Sequence, residues 1–315
     1  MGSAIQDQRL LYKVAKAYYE NNLTQQQIGG RFGLSRVKVS RMLNKARSSR
    51  IVQISINPPQ SSNADLERQV EAKYGLKEAV VITPSDYDSQ TIVSELGPVA
   101  ARYLLRCLQG REIVAISWGG TLLSVVDSLP VASFPNVRVA QLIGGLGKLE
   151  AEVHGAELAR RTAQALGARP RLLHAPGIVK SKSVRDALVI DPQVSGTLKL
   201  AAKADIALVG IGAFRKGSTL LNTQILPKQQ MRVLKTSGAV GDIALQFFDK
   251  NGAKIKSAVD DQIIGLDIDA IKKIPRVIGV AGGSDKADVL RAALLGGLIN
   301  VLITDDCVTA GLLKD

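Results

Sequence analysis

Between Asn21 and Ala64 the chain has no aspartate or glutamate, yet Arg31, Arg36, Lys38, Arg41, Lys45, Arg47 and Arg50 all fall inside that window. The net charge of the 315 residues is +13, from 41 basic and 28 acidic side chains. Setting the seven basic residues of the window aside leaves 34 against 28, or +6, for the rest. More than half of the excess is therefore local, which points to a polyanion-binding module rather than a uniformly basic surface. Cysteine is nearly absent: Cys107 and Cys307 stand far apart with no CxxC spacing, which excludes a disulfide framework and a cysteine zinc site and suits a reducing compartment. His154 and His174 lack metal-ligand spacing, so neither is read as a ligand or catalyst. The start, MGSAIQDQRL, has no apolar signal core, and the longest nearly apolar run, Ala292 to Ile303, is too short to span a bilayer. The expectation is a cytoplasmic chain with no membrane partner. With 46% hydrophobic residues it can bury a full core and more than one domain.

In the basic window, helical spacing dominates. Leu10, Leu11, Val14, Ala15 and Tyr18 predict a first amphipathic helix over about residues 7–20. Thr24 with Gln27 three residues on forms a capping-box pattern, and Ile28 and Phe32 give the second helix its buried side. Gly33 supplies the turn, and Ser35 caps a third helix whose core side is Val39, Met42 or Leu43, and Ala46. Gly29, four positions before the turn glycine, is where crossed helices need a small residue. Small residue, turn glycine, serine cap and buried valine in this register predict a helix-turn-helix. In that geometry the N-terminal end of the third helix enters the major groove, so Arg36, Val37 and Lys38 are candidates for base edges. Thr24, Gln25, Ser35, Ser40, Arg41 and Lys45 are candidates for holding phosphates and register. IVQISI (51–56) reads as a short strand, a wing beside the helices, and NPPQSSNA (57–64) as a linker. The expected organisation is a DNA-binding domain over 1–56, the linker, and an effector-binding and oligomerisation domain over 65–315.

After a helix at about 65–74, apolar strands alternate with helices: AVVIT (79–83), IVAIS (113–117), VRVAQLI (137–143), DIALVGI (205–211), RVIGVA (276–281) and INVLIT (299–304), with IVSELGPVAARYLLRCLQ and AELARRTAQALG among the helical segments. Near-continuous apolar strands suit a parallel sheet buried on both faces, so the fold class is α/β, a doubly wound, mostly parallel sheet behind the helix-turn-helix. Glycines recur where strands end: WGGT after Ser117, Gly144 and Gly145, GIG through Gly212, and AGGSDK. Any one of these is ordinarily a tight turn; four at one sheet edge predict a pocket whose amides and helix N-termini hold a phosphorylated or polyhydroxylated ligand. GIGAFRKG lacks the third glycine of a dinucleotide fingerprint and nothing matches a P-loop, so neither NAD nor ATP, nor any other cofactor, is expected.

The sequence resembles the SorC/DeoR family of sugar-responsive bacterial transcription regulators along nearly its whole length. The resemblance rests on LTQQQIGGRFGLSRVKVSRML, with Gly29 where alanine is more usual, and on ISWGGTL, QLIGGLG, DIALVGIG, GAVGDIALQFFDKNG and VAGGSDKADVLRAALLGGLINVLITDDCVTAGLL. It implies a fold related to glucosamine-6-phosphate deaminase and ribose-5-phosphate isomerase, a sugar or sugar-phosphate effector, operator DNA as partner, and a dimer or tetramer. Carried over by residue, Ser117, Gly119, Gly120, Thr121, Gly144, Gly145, Gly212 and Lys286 surround the effector, with WGGT and Lys286 facing its phosphate, and Asp242 accepts sugar hydroxyls. Lys286 alone would pass for a surface lysine and Asp242 for a loop cap; their place in the glycine-rich edge favours the ligand role. Ile143 leaves no lysine at the apex of QLIGG to trap an aldehyde, so a non-covalent ligand is expected, with Trp118 placed to report it. The competing reading, an isomerase or deaminase, needs a general base, for which Asp242, Asp260 and Asp261 are the candidates. Aspartates beside such a pocket bind hydroxyls at least as readily, so the expectation is a regulator and not an enzyme.

Overall fold

The computed structural model describes residues 2–54, 63–146, 155–214 and 226–314. The chain divides into two compact units, Met1–Gln60 and Ser61–Asp315.

In the first unit, α1 (Gly2–Tyr19), α2 (Gln25–Phe32) and α3 (Arg36–Ser48) close around Val14, Ala17, Ile28, Val39 and Leu43. The capping box is complete: Thr24 Oγ accepts from the Gln27 N–H at 3.3 Å, while the Thr24 N–H and hydroxyl donate to Gln27 Oε1. Ser35 Oγ accepts from the Lys38 N–H at 3.2 Å and starts α3. Gly33, at φ 65°, ends α2 in the left-handed region that an L side chain avoids. Gly29 is pressed against the turn: a Cβ there would stand 2.6 Å from the Leu34 carbonyl oxygen. The expected wing is absent over 51–54, which form no strand; Ile51 and Val52 instead pack with Leu11, Ala15 and Ala46, and the Val52 N–H donates to the Ala46 carbonyl beyond the end of α3. The two β-favouring residues find helix surface rather than a ladder. Residues 55–56, like 57–62 of the expected linker, lie outside the described residues, and Ala64, assigned to that linker, already begins a helix.

The second unit starts with α4 (Ala64–Tyr74) and contains a seven-stranded sheet built from β1 (Glu78–Ile82), β2 (Ile113–Ile116), β3 (Arg138–Gln141), β4 (Arg169–Arg171), β5 (Ile206–Gly210), β9 (Arg276–Val280) and β10 (Val301–Asp305). Between them in sequence, β6 (Gly212–Ala213), β7 (Gly241–Ile243) and β8 (Gln246–Phe248) form a separate antiparallel sheet. The large sheet runs β1-β10-β9-β5-β2-β3-β4, every pairing parallel. Its inner strands are buried on both faces because their side chains alternate between two cores. Ala115, Ala207, Val209, Val277 and Leu302 enter one; Val114, Ile116, Leu208, Ile278 and Ile303 enter the other. Helices α5 (Ser89–Cys107), α6 (Gly120–Asp127) and α7 (Gly155–Ala165) cover the second face, while α4 and the helices Ala287–Leu295 and Asp306–Leu313 cover the first. The chain moves outward from β2 to β3 and β4 on one side, and from β5 to β9 and β10 on the other. The order therefore reverses between β2 and β5, the place where open α/β sheets hold ligands beyond the carboxyl ends of their strands.

Candidate effector site and DNA-reading surface

At that reversal lies a cavity of about 630 Å³. The loops following β2, β5 and β9 open into it, so the sheet topology itself brings together residues more than 160 positions apart in sequence. Ser117, Gly119, Gly120, Thr121, Gly212, Asp242 and Lys286 all line it, with Trp118 among them.

Gly119 stands at φ 121° as the residue before α6, and Gly120 opens that helix with nothing within 4 Å of where a Cβ would lie. The first turn of α6 thus borders open space and has no side-chain cap, and the amides of such a helix N-terminus suit an anion. Lys286 Nζ is anchored by donating to the Ile211 carbonyl at 2.9 Å, and its charge acts on Asp242. Asp242 is 5% exposed and accepts the Leu245 N–H through Oδ2 at 3.1 Å. Burial pushes its carboxyl up to about 6 against the smaller opposing pulls of that N–H and of Lys286. The Leu245 bond also holds the two-residue turn between β7 and β8, in which Ala244 (φ 52°) and Leu245 (φ 60°) both occupy the left-handed region without being glycine. Such a turn is ordinarily built from Asn-Gly or Asp-Gly, and strain of this kind concentrates at ligand sites. Gly212 completes the arrangement: a Cβ there would lie 2.1 Å from Asp242 Oδ1. The carboxylate can occupy its position only over a glycine.

Gly144 and Gly145 depart from expectation. They do not line the cavity; their N–H groups donate to the Ile264 and Ala175 carbonyls, both at 2.9 Å, and a Cβ on Gly144 would meet Ala175 O at 2.5 Å. This pair permits close packing of two loops and has no amide left for a ligand. Asp260 and Asp261 also lie away from the cavity lining. Gln141 and Asp305 are residues the sequence reading passed over. Gln141, fully buried, accepts the Leu173 N–H and donates to the Ile143 carbonyl; Asp305, also buried, accepts the Gly283 N–H at 2.6 Å and the Val308 N–H at 2.8 Å. Asp305 thereby fixes the GGSDK loop that presents Lys286. Ser89, Gln90 and Ser94 of α5 and Asp127 and Ser128 at the end of α6 also line the cavity, although no motif marked them. Among the described residues no cluster of metal-ligating side chains is found, and no helix is long and apolar enough to cross a membrane.

On the first unit, Arg36, Val37, Lys38, Arg41 and Lys45 are exposed and Ser40 is half-buried, all on α3. None of the four cations forms a salt bridge with a described residue, as the acid-free window dictates. Val37 is 62% exposed although it is apolar. Arg36 shares a cleft with Thr24 and Gln25 at the N-terminus of α2, so it stands beside the residues expected to hold phosphate as well as at the tip of α3. The hydroxyls of Thr24 and Ser35 are engaged as helix caps.

The sugar-binding domain family, Sugar-bind, matches residues 58–314. The chain belongs to this family. Along its whole length it is similar to SorC/DeoR regulators. It is 32% identical over 308 residues to the deoxyribonucleoside regulator of Bacillus subtilis, covering 98% of both chains. It is 31% identical over 316 residues to the transcriptional regulator LsrR of an Enterobacter species, covering 99% of this chain and 95% of that one. The full-length sorbitol operon regulator SorC of Klebsiella pneumoniae superposes with a TM-score of 0.76 at 31% identity, covering 97% of this chain and 98% of that one. This SorC-family chain is therefore a transcriptional regulator with a sugar-type effector domain, and not an enzyme.

Proposed function

We propose that this regulator controls a carbohydrate catabolic operon, binding double-stranded operator DNA through α3 and a sugar or sugar phosphate, without covalent attachment, in the cavity between β2 and β5. The observation that carries the proposal is that one cavity brings together groups suited to an anion and a group suited to neutral hydroxyls. The α6 amides, Thr121 and Lys286 suit the anion, while the buried Asp242 suits neutral hydroxyl donors. Arg36, Val37 and Lys38 face base edges, with Thr24, Gln25, Ser35, Ser40, Arg41 and Lys45 toward the phosphates. Symmetric operators require two such readers, so the working form is a homodimer or homotetramer, acting in the cytoplasm where the operator lies. The effector shifts the balance between two arrangements of the assembled copies and so changes operator affinity.

A thermal-shift screen of polyols, sugars and their phosphates tests the site, since a ligand selective for the folded protein raises its apparent stability. Phosphorylated sugars are expected to raise the melting temperature. If only unphosphorylated compounds do so, the anion half of the assignment is wrong.

A further inference from the structure

The cavity is longer than the phosphosugar end requires. Its inner end is bounded by Gly120, Asp242 and Lys286, but its wall continues along α6 to Asp127 and Ser128. At about 1.5 Å of rise per residue, the eight residues of α6 carry it roughly 12 Å from the anion-binding amides. The opposite wall of this outer part is the first part of α5, with Ser89, Gln90 and Ser94.

Its chemistry is uncharged but hydrogen-bonding. Among the described residues neither the Ser89 hydroxyl nor the Gln90 amide has a side-chain partner, leaving donors and acceptors available. Ser94 and Ser128 donate to the Thr91 and Ser124 carbonyls at 2.8 and 2.7 Å, which leaves their oxygens as acceptors. Val93 and Leu123 give the walls apolar surface between these groups. Among the described residues the one charge lining this end is Asp127, whose carboxylate is paired with Arg161. A second phosphate would find no unpaired cation among these groups, whereas a ring with hydroxyl edges and C–H faces finds partners for both. Beneath these groups α5 and α6 touch, so the groove is a channel over their seam and is floored by that contact. Ser124 donates to the Val93 carbonyl at 2.9 Å, and Gly97 lies so close that a Cβ would fall 2.2 Å from Ser124 Oγ.

From this we infer that the effector has two sugar units: a phosphorylated ring at the β2/β5 reversal and a second, uncharged, glycosidically linked ring lying in the channel over the α5–α6 seam. The inference rests on the phosphosugar reading above and sharpens it to the class of disaccharide phosphates or phosphorylated glycosides.

Calorimetric titration of the intact protein with glucose 6-phosphate, trehalose 6-phosphate, sucrose 6-phosphate, maltose 6-phosphate and unphosphorylated maltose tests it, with each titration repeated on Gln90→Ala. At least one phosphorylated disaccharide is expected to bind ten times or more tighter than glucose 6-phosphate, with Gln90→Ala reducing that ratio at least threefold. Equal affinities for the single-ring and two-ring phosphates, or a ratio that Gln90→Ala leaves unchanged, overturn the second ring while leaving the phosphosugar site standing. Failure of every phosphate to bind, with or without binding of maltose, overturns the phosphosugar reading and this inference with it.

Discussion

The two functional surfaces use the same few residue types under opposite solvation. On α3, Lys38, Arg41 and Lys45 are exposed and form no salt bridge with a described residue, so their charge is available over a distance of about a Debye length. In the cavity, Asp242 is buried and Lys286 half-buried, and both are tied down by backbone groups, which makes each contact short-ranged and geometrically exacting. The first arrangement suits a long polyanion that can be approached in many registers. The second suits one small molecule in one pose. The contrast teaches that a serine or lysine in this chain acquires its role from burial and partner, and several substitutions can break or sharpen that contrast.

The largest effect is expected in the cavity. Gly212→Ala forces a Cβ against Asp242 Oδ1, and Asp242→Ala deletes the hydroxyl acceptor; hydrogen bonds to charged groups contribute about 1.5–3 kcal/mol each, so losing two of them weakens effector binding by roughly 100-fold or more in calorimetry. DNA binding without effector should survive both changes. On α3 the effect is smaller and of another kind: Arg41→Ala weakens all duplexes alike and lowers the slope of log K against log salt by about 0.9, because one phosphate contact is lost. A change of base preference at a single operator position would instead move Arg41 into the reading set.

Proton linkage gives the next. Because burial raises the Asp242 pKa from 3.8 to about 6, the native state binds more protons than the unfolded chain between those values. Stability from this residue is therefore highest below about pH 4, is lost as pH rises toward about 6, and stays lost above it. Asp242→Asn, which removes the buried charge, is expected to raise unliganded stability at pH 7 by on the order of 1–3 kcal/mol in denaturant unfolding, and to flatten this pH dependence. Effector affinity should run the opposite way, falling as pH drops through about 6, because the protonated carboxyl accepts poorly. Smaller still, Ser35→Ala removes the cap of α3 at about 1 kcal/mol of stability, read by thermal melting. The smallest effect belongs to Gly145→Ala: its amide is committed to Ala175 and a Cβ has ordinary room, so effector affinity should not change.

Much of this was legible in the sequence where the signal is local. The Thr24–Gln27 capping box, the Gly33 turn and the Ser35 cap are contacts over three or four residues, and they appear at the expected positions. The six buried strands follow from their apolar runs. β4 gave no such signal, because an edge strand reading Arg-Pro-Arg is exposed throughout. β6, β7 and β8 are two or three residues each, too short for periodicity, yet they carry Gly212 and Asp242. Gly144 and Gly145 misled for a physical reason: a glycine pair marks a close approach without saying whether a ligand or another loop makes it, and here Ala175 and Gly177 do. The outer end of the cavity was invisible because α5 and α6 meet there only through the fold.

The central claim is that a ligand in the β2/β5 cavity alters DNA affinity through Asp242. Fluorescence anisotropy with a duplex selected in vitro by the intact protein, at fixed salt, with and without the tightest-binding phosphosugar of the calorimetric panel, tests it most directly. The account predicts a tenfold or greater change in duplex affinity for the wild type, either up or down, and none for Asp242→Ala, whose unliganded affinity is retained. Identical wild-type affinities with and without a saturating phosphosugar would contradict it.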